Sequence, residues 1–169
     1  QKSMIVTNLS TSKMIDDISS GSIRTKIGEA HVVQKMKELN ISIGGEGNGG
    51  VILKEVHLGR DSLVAAAIVL TLLSATNQSI NEIIAEIPKY VFVKDKITLN
   101  DSKDVDFDNL ATLFDCDEIN RDDGIKFSWS KKWIHIRKSN TEPIIRIFAE
   151  AKTENEVNDL IQTLKDYLK

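Results

Sequence analysis

The sequence predicts two successive α/β units, residues 1–87 and 88–169, the first a mixed α/β unit and the second built mainly from short strands with helices beside them. Three observations predict this. Strand-like and helix-like segments alternate through the first half, Pro88 stops the chain after a helical run, and beyond it strands with a period of two dominate.

In the first unit, "SMIVTNLST" has the pattern of a strand ending in a turn, and "KMIDDISS" that of a short helix closed near Gly21. Residues 29–39, "EAHVVQKMKEL", put Val32, Val33, Met36 and Leu39 on one helical face. Ile41 to Ile43 then run into the glycine-rich turn "GGEGNGG", and "VILKEV" is a strand. Asp61 stands at the N-cap position of "SLVAAAIVLTLLSA", a helix apolar nearly all round and therefore expected to be buried. Asn77 to Ile87 is a second amphipathic helix leading to Pro88.

The second unit opens with a strand, "KYVFVKDKITL", and a helix, "DFDNLATLF". "GIKFSWS" and "KWIHIRKS" are alternating strands joined through Lys131 and Lys132, and "IIRIFAEA" is a further strand. Thr153 and Glu156 form a capping box for the last helix, whose buried stripe is Val157, Leu160, Ile161, Leu164 and Leu168.

Composition narrows the functions available. With 41% hydrophobic and 28% charged residues the chain can bury a core. A net charge of −3 and a pI near 5.7 give no broad attraction to nucleic acid, so any anion site must be local. Cys116 is the only cysteine, which excludes an internal disulfide and a thiolate metal cage and suits a reducing, cytoplasmic setting. No signal-peptide pattern opens the chain, and its longest apolar stretch, Leu63 to Leu73, is too short to span a bilayer, so no membrane partner is expected. The first residue is Gln1 rather than Met, from which a longer natural chain is expected.

Two loops carry chemistry. In "IRKSNTEPIIRIFAEA", residues 136–151, Ser139, Asn140 and Thr141 supply neutral donors in a turn, with Arg137 before it and Arg146 after it. Such donors and flanking guanidinium groups can converge on a phosphate. The competing account is a surface turn whose polar residues serve only the backbone. In "GGEGNGG", residues 44–50, glycines let the backbone approach a ligand while Glu46 and Asn48 offer acceptors and a donor to sugar hydroxyls; a plain connection between strands is the alternative. The loop is neither a P-loop nor a dinucleotide fingerprint.

Together these loops resemble the α-D-phosphohexomutase family of phosphoglucomutase, phosphomannomutase and phosphoglucosamine mutase. "GGEGNGGVI" is similar to the sugar-binding loop of that family's third domain, and "DGIKFSWSKKWIHIRKSNTEP" to the fourth domain's DG, Trp and Arg-x-Ser-Gly/Asn-Thr-Glu-Pro series. "IVTNLSTSKMIDDIS" and "RTKIGEAHVVQKMKE" fall in the order of the third domain, so the resemblance covers nearly the whole chain. It implies a partial third domain of mixed α/β type over 1–87 and an α+β fourth domain over 88–169, with an antiparallel sheet and flanking helices.

The resemblance further implies a phosphoserine enzyme that moves phosphate between C1 and C6 of glucose, mannose or glucosamine phosphates through a bisphosphate. Arg137, Ser139, Asn140, Thr141 and Arg146 match the positions that clamp the phosphate, and Glu46 and Asn48 those that contact sugar hydroxyls. Many members carry His where this chain has Gly50, so no acid/base role passes to that position. His57 could partly replace it or be structural, and Lys26, at a turn facing the active site in the family, could touch phosphate or be solvated. Arg60 could pair with its own helix or point at ligand.

Neither the family's phosphoserine loop nor its magnesium-binding Asp-Gly-Asp-Gly-Asp-Arg loop is present in these residues. Magnesium and the nucleophile are therefore expected from N-terminal domains of the same chain, and the fragment alone is expected to be inactive. The cluster Asp101, Asp104, Asp106 and Asp108 lacks a calcium-loop pattern and suits a solvated helix start. The alternative function is a non-catalytic sugar-phosphate-binding or regulatory module.

Overall fold

The computed structural model describes residues 3–98, 105–139 and 142–168 and divides into two compact units, 1–89 and 90–169. The first contains β1 (Met4–Asn8), α1 (Met14–Ile18), β2 (Gly21–Thr25), α2 (Glu29–Leu39), β3 (Ile43–Glu46), β4 (Gly50–Leu53), α3 (Ser62–Thr76) and α4 (Ile80–Glu86). Its sheet runs β2-β1-β3-β4, with β1 parallel to both β2 and β3 and β4 antiparallel to β3. The strand β2 was not expected: "GSIRT" has one strongly apolar residue, Ile23, and is recruited by its parallel register with β1.

Val32 and Met36 of α2 pack on Val6 and Ile52 to form the small core of this unit, with Val33 partly buried; Leu39 at the helix end is exposed. Asp61 caps α3 as expected, its carboxylate accepting from the backbone N–H of Leu63 and Val64 at 2.8 and 3.0 Å. The expected burial of α3 is corrected. None of its residues is buried, and Leu63 and Leu70 are 80% and 65% exposed. A helix apolar on every side has no preferred inward face, and among the described residues it packs chiefly on β4. No single described helix is long and apolar enough to cross a membrane.

The second unit contains β5 (Val91–Thr98), α5 (Phe107–Leu110), β6 (Glu118–Asn120), β7 (Ile125–Ser128), β8 (Trp133–Lys138), β9 (Ile144–Ala151) and α6 (Glu154–Tyr167). The strands form an antiparallel sheet in the order β5-β9-β8-β7-β6. One face buries Ile134, Ile136, Ile145, Ile147 and Ala149 under Val157, Leu160, Ile161 and Leu164 of α6, with Leu168 partly buried beside them. Thr153 and Glu156 make the reciprocal capping box that starts α6. The helix α5 is shorter than its apolar pattern suggests, and the three-residue β6 is too short for a periodic signal. Every Phe, Trp and Tyr of the chain belongs to this second unit.

Candidate functional site

In the first unit the three parallel strands end at Asn8, Thr25 and Glu46. The chain leaves β1 to form β2 on one side, then crosses back to form β3 on the other. In open α/β sheets, ligand clefts form outside the carboxyl ends of strands where the order reverses in this way. Here that point is marked by buried polar groups: Thr7, Asn8, Ser10, Thr11, Thr25 and Glu46 are all less than a tenth exposed.

Glu46 is the centre of this cluster. Its Oε1 accepts from Asn8 Nδ2 at 2.9 Å and from the Gly28 N–H at 3.1 Å, just before α2, and its Oε2 pairs with Arg60 Nη1 at 3.2 Å. Arg60 also holds Glu29 through Nε at 2.7 Å, and this bond is the main reason the Glu29 carboxyl lies below its usual range. Three internal partners thus use Glu46, which was expected to offer its carboxylate to sugar hydroxyls. Asn48, at the exposed tip of the turn, remains outward, its Oδ1 accepting from the Gly50 N–H at 3.3 Å. Arg60 lies so close over Gly50 that a Cβ there would be 2.2 Å from Arg60 Cδ, which is why the backbone at that position is bare.

Lys26 follows β2 directly and is exposed. His57 is exposed in the turn bridged to Leu53; its ring crosses Gly59, where a Cβ would be 2.7 Å away, and stands near Glu29. Neither residue makes an ion pair among the described residues.

In the second unit Arg137 of β8 and Arg146 of β9 are direct cross-strand partners and share one face of the sheet. Like charges directly opposite each other destabilise a strand pair, so the arrangement requires anions. Asp123 supplies one: its Oδ1 accepts from Arg137 Nε at 3.1 Å, with both side chains less than a fifth exposed. Glu142 supplies the other, pairing with Arg146 Nη2 at 3.0 Å. Asp123 accepts from Nε, and among the described residues the two terminal nitrogens of the Arg137 fork make no ion pair, an edge suited to a tetrahedral oxyanion.

Ser139 sits at the mouth of the connecting loop, its N–H donating to the Ile144 carbonyl at 2.9 Å. Asn140 and Thr141 lie outside the described residues. The structure thus brings Arg137, Ser139 and Arg146 together on one hairpin.

Three partners were missed from sequence. Asp123 was visible only as part of "DG", Asn8 only within "SMIVTNLST", and Arg60 as an unresolved choice between helix and ligand. The structure gives "DG" a physical meaning. Gly124 has φ +76°, and a Cβ on it would meet the Ile136 carbonyl oxygen at 2.2 Å, so only glycine lets Asp123 approach β8. The Asp123 carbonyl also accepts from Nε2 of the fully buried His135 at 2.6 Å, and burial pushes that imidazole down to about 4.

Among the described residues no three His, Cys, Asp or Glu side chains converge. Asp101 and Asp104 lie outside the described residues; Asp106 caps α5 and Asp108 pairs with Arg121 at 2.5 Å.

The profile of the phosphoglucomutase/phosphomannomutase alpha/beta/alpha domain III matches residues 1–90, and that of the C-terminal domain of the same family matches 80–166. The chain belongs to the phosphoglucomutase/phosphomannomutase family. It is 34% identical over 165 residues to a phosphoglucomutase/phosphomannomutase of Thermococcus kodakarensis, covering 94% of this chain and 36% of that protein. It is 34% identical over 167 residues to a phosphoglucosamine mutase of Methanocaldococcus jannaschii, covering 94% and 37%. A crystal structure of a family protein from Burkholderia thailandensis superposes with a TM-score of 0.82 at 21% identity, over 99% of this chain and 37% of that one. This phosphohexomutase segment therefore spans a little over a third of the length of these relatives.

Proposed function

We propose that this chain is the substrate-holding part of a phosphohexomutase that interconverts hexose 1-phosphates and hexose 6-phosphates. The observation that carries the reading is the Arg137–Arg146 pair, two guanidinium groups opposed across β8 and β9 at the mouth of the Ser139–Glu142 loop. Asp123 and Glu142 match the two arginines one for one, but a purely structural ion-pair network would need no turn of small donors beside them, whereas an oxyanion clamp uses Ser139, Asn140 and Thr141 as well as the guanidinium groups.

Positioning and charge neutralisation carry most of phosphoryl-transfer catalysis. In this reading Arg137, Ser139, Asn140, Thr141 and Arg146 hold the phosphate that is not reacting. Asn48 offers its amide to a sugar hydroxyl, while Glu46 aligns the turn through Asn8, Gly28 and Arg60 and has lone-pair capacity left for one more donor. Lys26 and His57 are held in reserve as phosphate or proton contacts. The phosphoserine, and the magnesium that would neutralise the phosphoryl group in transfer, belong to other parts of the longer chain. The hexose is glucose, mannose or glucosamine, the sugars in the relatives' names.

The test is an NMR titration of the labelled chain with glucose 6-phosphate, glucosamine 6-phosphate and inorganic phosphate. The expected result is movement of Arg137 to Arg146 signals with all three and of Glu46 to Gly50 with the sugars only. Arg137 to Arg146 signals that stay still at tens of millimolar ligand would overturn the clamp.

A further inference from the structure

On the face of the second sheet that carries Arg137 and Arg146, the cation row does not stop at β9. Lys96 of β5 is the direct partner of Arg146, so Lys96, Arg146 and Arg137 stand side by side on three adjacent strands. Two residues back along β5, Lys94 opposes Phe148 on the same face. Over β5 and β9 lies a cavity of about 470 Å³ lined by Lys94, Asp95, Lys96, Arg146 and Glu142, with Phe148 and Ile144 as its apolar part.

The charges in this cavity are unbalanced. Glu142 is already paired with Arg146, and Asp95, the other acid at the rim, pairs with Lys165 of α6 at 2.7 Å. Among the described residues Lys96 makes no ion pair, and the Lys94 ammonium is stationed 5.7 Å from the Phe92 ring centre. Of the three charges in register, Arg137 and Arg146 are matched by Asp123 and Glu142, so Lys96 is the one that an incoming anion would compensate. The volume lies within the usual range for small-ligand pockets.

Lysines on an edge strand also discourage strand pairing, and β5 is an edge. They would serve that purpose on either face, however. Both take the face that holds the two arginines, and Asp95 between them takes the other.

We propose that Lys96, with Lys94 beside it, is a further ligand-binding residue, and that the oxyanion clamp is three strands wide, taking a dianionic sugar phosphate between β5 and β8. This rests on the clamp reading above and extends it to a strand that the loop motif does not contain. The aromatic floor of Phe148 gives the sugar ring an apolar surface, and Lys96 with Lys94 adds the third and fourth positive charges that balance a phosphate dianion together with the carboxylates of Asp123 and Glu142.

The experiment measures binding of glucose 6-phosphate and inorganic phosphate by calorimetry to the 169-residue chain and to its Lys96→Gln, Lys96→Glu and Arg137→Gln variants. Thermal melting of each confirms that it folds, as expected for Lys96 at an exposed strand position, and the melt of Arg137→Gln separates any loss of stability from a loss of binding. Lys96→Gln should weaken both ligands roughly three- to five-fold and Lys96→Glu more, with a smaller salt dependence than the parent. Weakening in Arg137→Gln alone overturns the role of Lys96 and leaves the clamp intact. Weakening in the Lys96 variants alone overturns the joint site, since the β5 lysines would then act apart from the clamp. No binding to the parent chain at tens of millimolar overturns both.

Discussion

A Cβ on Gly124 would lie 2.8 Å from the Cα of Arg137, closer than folded proteins tolerate between a side chain and backbone. The turn before β7 and the strand β8 are therefore in contact through bare backbone, and the arginine is positioned by that contact. Gly124→Ala adds strain at φ +76° to this clash, with an expected loss of about 2–3 kcal/mol in the second unit. Urea unfolding at neutral pH checks it. A loss below about 0.5 kcal/mol would mean that the turn moves freely away from β8.

Asp123 and Arg137 share one ion pair but differ in what they should do to binding. Asp123→Ala leaves a largely buried guanidinium without its carboxylate, an expected cost of about 1–3 kcal/mol. Arg137→Ala orphans the Asp123 carboxylate at a similar cost and should in addition weaken phosphate binding about ten-fold or more, the value of a charge-assisted hydrogen bond. Denaturation and calorimetry on the same two proteins check the pair. Unchanged phosphate affinity in Arg137→Ala would remove the clamp.

His135 predicts an acid-sensitive window. Its imidazole is held neutral chiefly by burial, opposed by its bond to the Asp123 carbonyl and assisted by the nearby Lys126 and Arg137 charges. Above pH 6.5 the folded and unfolded states are both neutral at this group. Between 6.5 and about 4 only the unfolded chain takes the proton, so stability falls with pH by on the order of 3 kcal/mol and then levels. His135→Gln retains an N–H donor without a titrating ring. Its stability profile from pH 7 to 4 should be flatter than the parent's; parallel profiles would show that the ring is not the source.

Gly50 and Arg60 should be energetically coupled. In Gly50→Ala the new Cβ drives the Arg60 stem outward and breaks its link to Glu46, at an expected cost of about 1 kcal/mol in the first unit. In an Arg60→Met background the same alanine should cost less, because an uncharged stem can swing away without breaking an ion pair. A double-mutant cycle read by hydrogen exchange in α2 measures the coupling. Equal costs in both backgrounds would separate the two residues.

The parts of the fold legible in the sequence were those governed by local chemistry. The Asp61 cap, the Thr153–Glu156 box, the β8–β9 strands around the polar loop and the α6 stripe each follow from side chains within a few residues of one another. What was hidden depends on partners distant in sequence. "GSIRT" is a strand only because β1 lies beside it, and α3 had no sidedness from which its exposure could be foreseen. The site divides the same way. The arginines and the loop were visible from their motif, whereas Asp123 was an unremarked residue before a glycine, and the carboxylate of Glu46 could not be known to be engaged until Asn8 and Arg60 arrived from elsewhere in the chain.

The confinement of every aromatic residue to the second unit gives the protein two separable optical voices. Trp133, packed edge-on to Phe92 and bonded to Glu150 through its indole N–H, and Trp129, against Phe114, are the only indoles, so fluorescence and near-ultraviolet dichroism report on the second unit alone. The first unit is silent at those wavelengths. Comparing them with far-ultraviolet dichroism, to which α2, α3 and α4 contribute heavily, would reveal within a single unlabelled sample whether the halves melt together or one before the other.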